Sequence, residues 1–287
     1  MRRTAMKNKW LAAPYVVWMA IFVVAPLILV VIFAFTDKAG GITLDNFSNM
    51  ATYIPAFQHS FVLAIAATVI CILIGYPLAY FLSRESLMVR KVAMMLIMLP
   101  MWMNFLLRTY AWMSILDDNG LINQFLANIG FFDLVNSIFG TNLQYIHMIN
   151  TQGAIVLGMV YNFLPFMVLP IFSVIDKIDH RVIEAAQDLG ANGAMVFRKV
   201  IFPLSLPGVL SGVTMVFIPS VSTFALSRLL GGGKTLLLGD LIEMQFLGNA
   251  YNPHLGSAIA LVMMVIVLVM MAIMNRFGEG EEGVAVL

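Results

Sequence analysis

Charge is what this chain of 287 residues lacks: charged side chains make up 11% of it, against 61% hydrophobic residues and a mean hydropathy of +0.93. A water-soluble domain carries about a quarter of its residues charged to cover its surface. Without that coat, much of this chain has lipid as its solvent. Cysteine is nearly absent too. The single Cys71 lies inside an apolar run, which excludes an intrachain disulfide and a cysteine-held metal cluster. An excess of one charge sign is also missing, since the net charge is +1 and the pI near 7.9, so no nucleic-acid partner is expected. His59, His147, His180 and His254 are scattered without ligand spacing, and no nucleophile accompanies a base. The expectation is therefore a chain with no metal site and no catalytic residues. The 22 methionines read as adaptable packing between helices.

What the chain does have is long charge-free apolar runs. Six approach or exceed the ~20 residues that a helix needs to cross ~30 Å of hydrocarbon. They are Leu11–Phe35, Phe61–Leu82, Val92–Leu107, Ala154–Ile175, Val200–Leu226 and Leu255–Asn275. The third is expected to continue to residue 113, with Arg108 snorkelling outward. The fifth span proper is expected from residue 204. Leu134–Ile149 is broken by Asn136, Asn142, Gln144 and His147 and does not read as a seventh. The first run is too long for a signal-peptide core and no A-x-A site follows it, so an uncleaved first span is expected. The fold class expected is an all-α integral membrane protein with six transmembrane helices, one permease domain over residues 1–287, and a polar loop over 176–203.

Orientation follows from the basic residues. Arg2, Arg3, Lys7, Lys9, Arg84, Arg90, Lys91, Lys177, Arg181, Arg198, Lys199 and Arg276 fall on one side of a six-span topology, twelve of the sixteen. That bias places both termini and the 176–203 loop in the cytoplasm. Lys38, Arg108, Arg228 and Lys234 fall on the other side, with seven acids: Asp37, Asp45, Asp117, Asp118, Asp133, Asp240 and Glu243.

The loop reads EAAQDLGANGAMVFRKVIFP from Glu184 to Pro203. Asp179 can cap a helix start, and Val182, Ile183 and Ala186 recur at helical spacing, so one face can bury against a partner. Gly190 suits the left-handed turn that ends a helix, Asn192 can cap the next, and Pro203 and Pro207 mark re-entry into the membrane. Elsewhere, Gly231-Gly232-Gly233-Lys234-Thr235 has the tail of a phosphate-binding loop. Arg228 occupies the position where that pattern needs its first glycine, no strand precedes it, and it reads as a flexible turn. Gly208 and Gly212, four apart, allow close helix packing. Pro165, Pro170 and Pro219 kink helices or free carbonyls toward a pathway.

The segment from Glu184, with Gly190 and Pro203 at their spacing, resembles the EAA loop of ABC-importer permeases, with Val200 and Phe202 in place of the usual Ile and Leu. The resemblance implies the type I importer permease fold, in which this loop forms a coupling helix on a cytoplasmic ATPase. Glu184, Ala185, Ala186, Asp188, Gly190, Arg181, Arg198 and Pro203 would then be the coupling residues. Further strings, GYPLAYFLSR (75–84), LPMWMNFLLRTYAW (99–112), GMVYNFLPFMVLPIFSVIDKID (158–179) and GGGKTLLLGDLIEMQFL (231–247), resemble the spermidine/putrescine branch of these permeases, the PotB type. That implies a non-catalytic permease chain in a bacterial inner or plasma membrane. Its partners would be a second permease chain in a heterodimer, an ATPase dimer holding ATP and Mg, and an extracellular or periplasmic substrate-binding protein.

A polyamine site needs carboxylates for ammonium groups and aromatic faces for cation–π contact. Asp117, Asp118, Asp240 and Glu243 with Trp102, Tyr110, Trp112 and Tyr161 are the substrate-path candidates. The acid excess on that side favours a cationic cargo over an oxyanion, though ferric iron stays open. An ion-coupled carrier would place an ionisable residue mid-span, and the apolar runs hold none in their centres.

Overall fold

The computed structural model describes residues 13–248 and 250–278. Arg2, Arg3, Lys7 and Lys9, the start of the first predicted span and the Glu279–Glu282 tail lie outside the described residues. Among the described residues all regular structure is helical, apart from an isolated antiparallel bridge between Thr36 and Ile42. The principal helices are α1 (Ala13–Ala34), α2 (Ile54–Arg84), α3 (Leu87–Met98), α4 (Phe105–Leu116), α5 (Leu121–Asn128), α6 (Phe131–Phe139), α7 (Gln152–Ile175) and α8 (His180–Asp188). They continue with α9 (Phe202–Ser222), α10 (Ala225–Leu229), α11 (Leu238–Leu247) and α12 (Pro253–Gly278). Among the described residues, five helical stretches are long and apolar enough to cross a membrane: Ala13–Ala34, Asp45–Arg84, Gln152–Ile175, Gly193–Ser222 and Pro253–Met274. A sixth crossing is available if the bent pair Leu87–Trp102 and Phe105–Asn128 counts as one span.

That pair is where the structure departs from a straight third span over 92–113. The two halves meet at 94°. Pro100 opens a 3-10 turn over Leu99–Trp102, Met103 is extended, and the Asn104 side chain accepts the N–H groups of Leu106 (2.8 Å) and Leu107 (3.3 Å). A proline without an N–H followed by a strong N-cap ends one helix and starts another. The break also turns Arg108 inward. It is 9% exposed, with its guanidinium 6.0 Å from the Tyr161 ring, so it does not snorkel. The fifth span differs as well. Its helix begins inside the polar loop at Gly193 and runs to Ser222, with a π turn over Phe197–Ile201 just ahead of Pro203. α1 has the same device, a π turn over Ala20–Val24 before Pro26. A widened turn relieves the clash of the proline ring with the carbonyl four residues back.

The chain divides into two compact units. One holds the described residues up to Pro55 with Leu241–Val267, the other Ala56–Asp240 and the described residues from Leu268 onward. In the first unit, no α1 residue before Ala34 is buried, as suits a helix solvated by hydrocarbon. Asn46 is buried and donates its amide to the Ala34 (3.1 Å) and Thr36 (3.0 Å) carbonyls, satisfying the end of α1.

In the second unit, α7 and α9 pack closely because glycines let them. A Cβ on Gly208 would lie 2.9 Å from the Pro170 carbonyl oxygen, and one on Gly212 would lie 3.2 Å from that of Met167. Gly75 on α2 admits Met167 in the same way, at 3.0 Å. The Tyr76 hydroxyl and Ser205 Oγ, 2.8 Å apart, join α2 to α9 inside this apolar packing. α7 carries Pro165 and Pro170 within its length, and α9 carries Pro207 and Pro219. The overpacking penalty of about 1–3 kcal/mol predicts that Gly208→Val lowers the midpoint of thermal unfolding in detergent by several degrees. Gly193→Ala, whose added Cβ meets nothing within 4 Å, is expected to leave it unchanged.

Candidate coupling site

The 176–203 loop folds as its capping residues dictate. The Asp179 carboxylate accepts the Arg181 N–H at 2.9 Å and starts α8. At the other end, Gly190 adopts φ +84°, its N–H donates to the Gln187 carbonyl (2.8 Å), and the Ala191 N–H donates to that of Ala186 (3.0 Å). These are the paired bonds of a Schellman motif, which needs a residue tolerant of positive φ at this position. Asn192 then accepts the Met195 N–H at 2.9 Å and opens the next helical turn.

α8 is two-faced, but not in the way the spacing suggested. Ile183 and Ala186 pack inward on the chain's own core, which includes Tyr76, Val196 and Ile201. They are therefore not part of a face left for a partner. The outward face carries Arg181, Val182, Glu184, Ala185 and Asp188, followed by Leu189 at 90% exposure. Leu189 was missed in the sequence, although it directly precedes the motif glycine. Arg198 is exposed, and Pro203 sits in the first turn of α9.

Aromatic packing anchors the far half of the loop. Phe197 meets Tyr80 (5.1 Å, 82°) and Tyr76 (5.9 Å, 87°) edge to face, and Phe202 lies 5.8 Å from Tyr76. Such pairs contribute ~0.5–1.5 kcal/mol each beyond area burial. Arg84 lies over the other side of this cluster, 4.5 Å from the Tyr80 ring. Beside α8 is a cavity of about 710 Å³ lined by Tyr80, Arg84, Arg90, Asp176, Glu184 and Gln187, among others.

The substrate-path candidates do not form one site. Trp112 and Tyr161 do meet edge to face at 5.3 Å, with Arg108 on the Tyr161 ring. Trp102 is 81% exposed in its 3-10 turn, and Tyr110 is exposed. Asp117 accepts the Asn119 N–H at 3.0 Å within its own turn, and Asp118 pairs with His147 Nδ1 at 2.8 Å. Asp240 is only 3% exposed. Its carboxylate accepts the Ser227 hydroxyl and the Leu237 N–H (3.2 Å), and Arg228 Nε stands 3.4 Å away. It serves as an internal fastener. Glu243 is half-buried and belongs to the first unit.

The first two glycines of the triplet are not slack, as the sequence suggested, but tightly fitted, whereas a Cβ on Gly233 would meet nothing within 4 Å. Gly232 and Gly233 take φ +60° and +69°, and a Cβ on Gly232 would lie 2.3 Å from Asn150 Oδ1. Among the described residues, no group of three or more His, Cys, Asp or Glu could hold a metal ion.

Residues 72–280 match the family model described as binding-protein-dependent transport system inner membrane component. The chain belongs to that family. It is 35% identical over 267 residues to the spermidine/putrescine transport system permease protein PotB of Haemophilus influenzae, covering 90% of each chain. It also resembles the solved structure of a bacterial ABC transporter involved in the import of the acidic polysaccharide alginate, with a TM-score of 0.78, 17% identity and 96% of each chain covered. A second structure of the alginate transporter, in complex with its alginate pentasaccharide-bound periplasmic protein, gives a TM-score of 0.77 at 17% identity, covering 94% of each chain. The family, the multi-pass apolar helices and these folds agree: the chain has the type I ABC importer permease fold and is an inner-membrane transport component.

The Schellman turn makes its own prediction. Forcing a non-glycine residue into the left-handed region costs about 1–2 kcal/mol. Gly190→Ala is therefore expected to speed hydrogen exchange at the Gly190 and Ala191 amides by roughly tenfold. An Asp179→Ala exchange profile should change at Arg181 instead, leaving the Gly190 end protected.

Proposed function

We propose that this chain is the permease subunit of an ATP-driven importer of polyamines, spermidine and putrescine, working by alternating access. The observation that carries the reading is 35% identity to a spermidine/putrescine permease over nine-tenths of both chains, with Glu184-Ala185-Ala186, Gly190 and Pro203 at the spacing of the EAA loop. A second permease chain, in a heterodimer, completes the channel. An ATPase dimer binds ATP and Mg on the cytoplasmic side, and a periplasmic or extracellular binding protein delivers cargo. In this reading both termini and α8 are cytoplasmic, which the basic-residue bias supports.

In this scheme Glu184, Ala185, Asp188 and Leu189, with Arg181 and Arg198, face the ATPase. Ala186 faces inward and transmits motion to the core, while Gly190 and Pro203 shape the loop. ATP closure draws the two coupling helices together and opens the permease pair toward the binding protein. Hydrolysis reverses this and releases cargo inward. In the second unit the Trp112–Tyr161 pair and the carboxylates of Asp117 and Asp118 are the polyamine contacts, and Asp240 acts only through the loop it fastens; in the first unit Glu243 is a separate candidate. Tyr110 and Trp102 stand at the surface.

Arg108 favours a second reading. Its Nε and Nη1 are buried and without a hydrogen-bond partner among the described residues, as would suit an anionic cargo such as an oxyanion. ATP-dependent uptake by vesicles holding the four components, with labelled spermidine and putrescine beside phosphate and sulfate, decides between them. Polyamine uptake is expected. ATP turnover with anion uptake alone would overturn the cargo assignment and keep the architecture. In the same vesicles, Leu189→Asp is expected to reduce uptake severely and to lower ATPase co-purification, at unchanged permease abundance.

A further inference from the structure

The sequence offered Arg90 only as one more basic residue on the loop side. In the folded chain it is a junction. Its Nε donates to the Glu85 carbonyl at 2.7 Å, one terminal nitrogen donates to the Ser83 carbonyl, and the other binds the Asp176 carboxylate. Ser83 lies in the last turn of α2 and Glu85 just beyond it, where backbone carbonyls have no helical partner. Asp176 is the C-cap of α7. A carboxylate at a helix C-terminus faces the negative end of the dipole and is unfavourable there unless a cation compensates it. Arg90 itself sits near the start of α3, its N–H bound to the Ser86 carbonyl at 3.0 Å. One guanidinium thus gathers the ends of α2 and α7 and the beginning of α3.

We infer that Arg90, through Asp176, is a positioning residue that carries the motion of α8 into the membrane helices. The inference rests on the reading of α8 as the coupling helix. From Asp176 to the Asp179 cap the chain is a tight turn, with the Lys177 and Ile178 N–H groups bound to the Val174 (3.2 Å) and Ile175 (3.1 Å) carbonyls. Displacement of the start of α8 therefore reaches Asp176 with little slack. The other end of the loop is held by Phe197 on Tyr76 and Tyr80, both on α2. Beside α8 the 710 Å³ cavity leaves Glu184 and Gln187 without packing on that side. Ile183 and Ala186 hold the middle of the helix to the core, and Arg90 ties the leading end.

The pair is only partly buried, with side-chain exposures of 22% for Arg90 and 40% for Asp176. Solvent screening then keeps its contribution to stability small, so its loss should be felt in geometry more than in folding. Lysine has one compact ammonium and cannot span three acceptors in different directions as the guanidinium fork does.

The test uses the complete complex in proteoliposomes, comparing wild type with Arg90→Gln, Arg90→Lys, Asp176→Asn and the Arg90→Gln/Asp176→Asn double variant, with Gly190→Pro as reference. ATP hydrolysed and spermidine taken up are measured per assembled complex. The expected result is a rise of about threefold or more in ATP spent per spermidine for each single variant. The double variant should be no worse than either single, and lysine should fail to restore the ratio. A role confined to folding would lower the amount of complex and leave this ratio alone. An unchanged ratio in Arg90→Gln and Asp176→Asn, with a raised one in Gly190→Pro, would overturn the junction and leave the coupling loop standing. Independent, multiplying effects in the double variant would overturn the pairing of the two residues. An unchanged ratio in Gly190→Pro as well would remove the coupling reading and the inference with it.

Discussion

In hydrocarbon a backbone polar group has no water to turn to, and the termini of every helix leave such groups unpaired. Much else in this structure depends on how those ends are closed. With few charged and polar residues available, the chain places them there. Asn46 serves the end of α1, Asn104 the start of α4, Thr151 the start of α7, Asp179 the start of α8 and Asn192 the turn that follows. Arg90 closes the end of α2. The 176–203 loop is the densest case, with a cap, a Schellman turn and a second cap within fourteen residues of Asp179. Its shape is set by local bonds, and it can therefore act as a rigid body.

Rigidity at the loop matters only if the helices behind it are also well fitted. Gly208 and Gly212 bring α7 and α9 close enough for backbone contact, and Gly75 lets the Met167 side chain settle against α2, where association within lipid depends on packing more than on the hydrophobic effect. The Tyr76–Ser205 contact sits within that packing, and the same tyrosine receives Phe197 and Phe202 from the loop side. Tyr76 thus belongs both to the membrane core and to the seat of the loop. The connection between site and scaffold is one continuous set of side chains, without a hinge of small polar residues between them.

The parts that were legible in the sequence are those written in local chemistry. Apolar runs marked out the long helices, though not the break after Trp102, and Asp179, Gly190 and Asn192 each perform the capping role their residue types suit. What was not legible depends on partners distant in sequence. Nothing near Arg90 announces Asp176, 86 residues away. Helical spacing identified an apolar stripe on α8 but not what covers it, and Ile183 and Ala186 turn out to face their own chain. Arg108 read as an interfacial arginine because the break at Met103–Asn104 was not anticipated. Its signal was present, in Pro100 followed four residues later by a capping asparagine. Asp240 looked available for a cation because loop carboxylates usually face water, yet Ser227, Leu237 and Arg228 enclose it.

Enclosing Asp240 bears on how such a permease selects cargo. The fold is shared with a transporter of an acidic polysaccharide at 17% identity, so helix arrangement alone leaves the sign of the cargo's charge open. A count of acids against bases on one side of the membrane is also a weak guide when one of the acids is consumed by a turn and one of the bases, Arg108, is buried against an aromatic ring. Selection has to come from the few polar groups left at the surface of the route, and from the binding protein that presents the cargo. A permease built this way gains from weak contacts. On the polyamine reading proposed above, a polycation held by several buried carboxylates would sit in a deep well and leave slowly, whereas an exposed group such as Asp117, screened by water, would let it pass. The economy of charge that marks the whole chain is then also what keeps its transport path shallow.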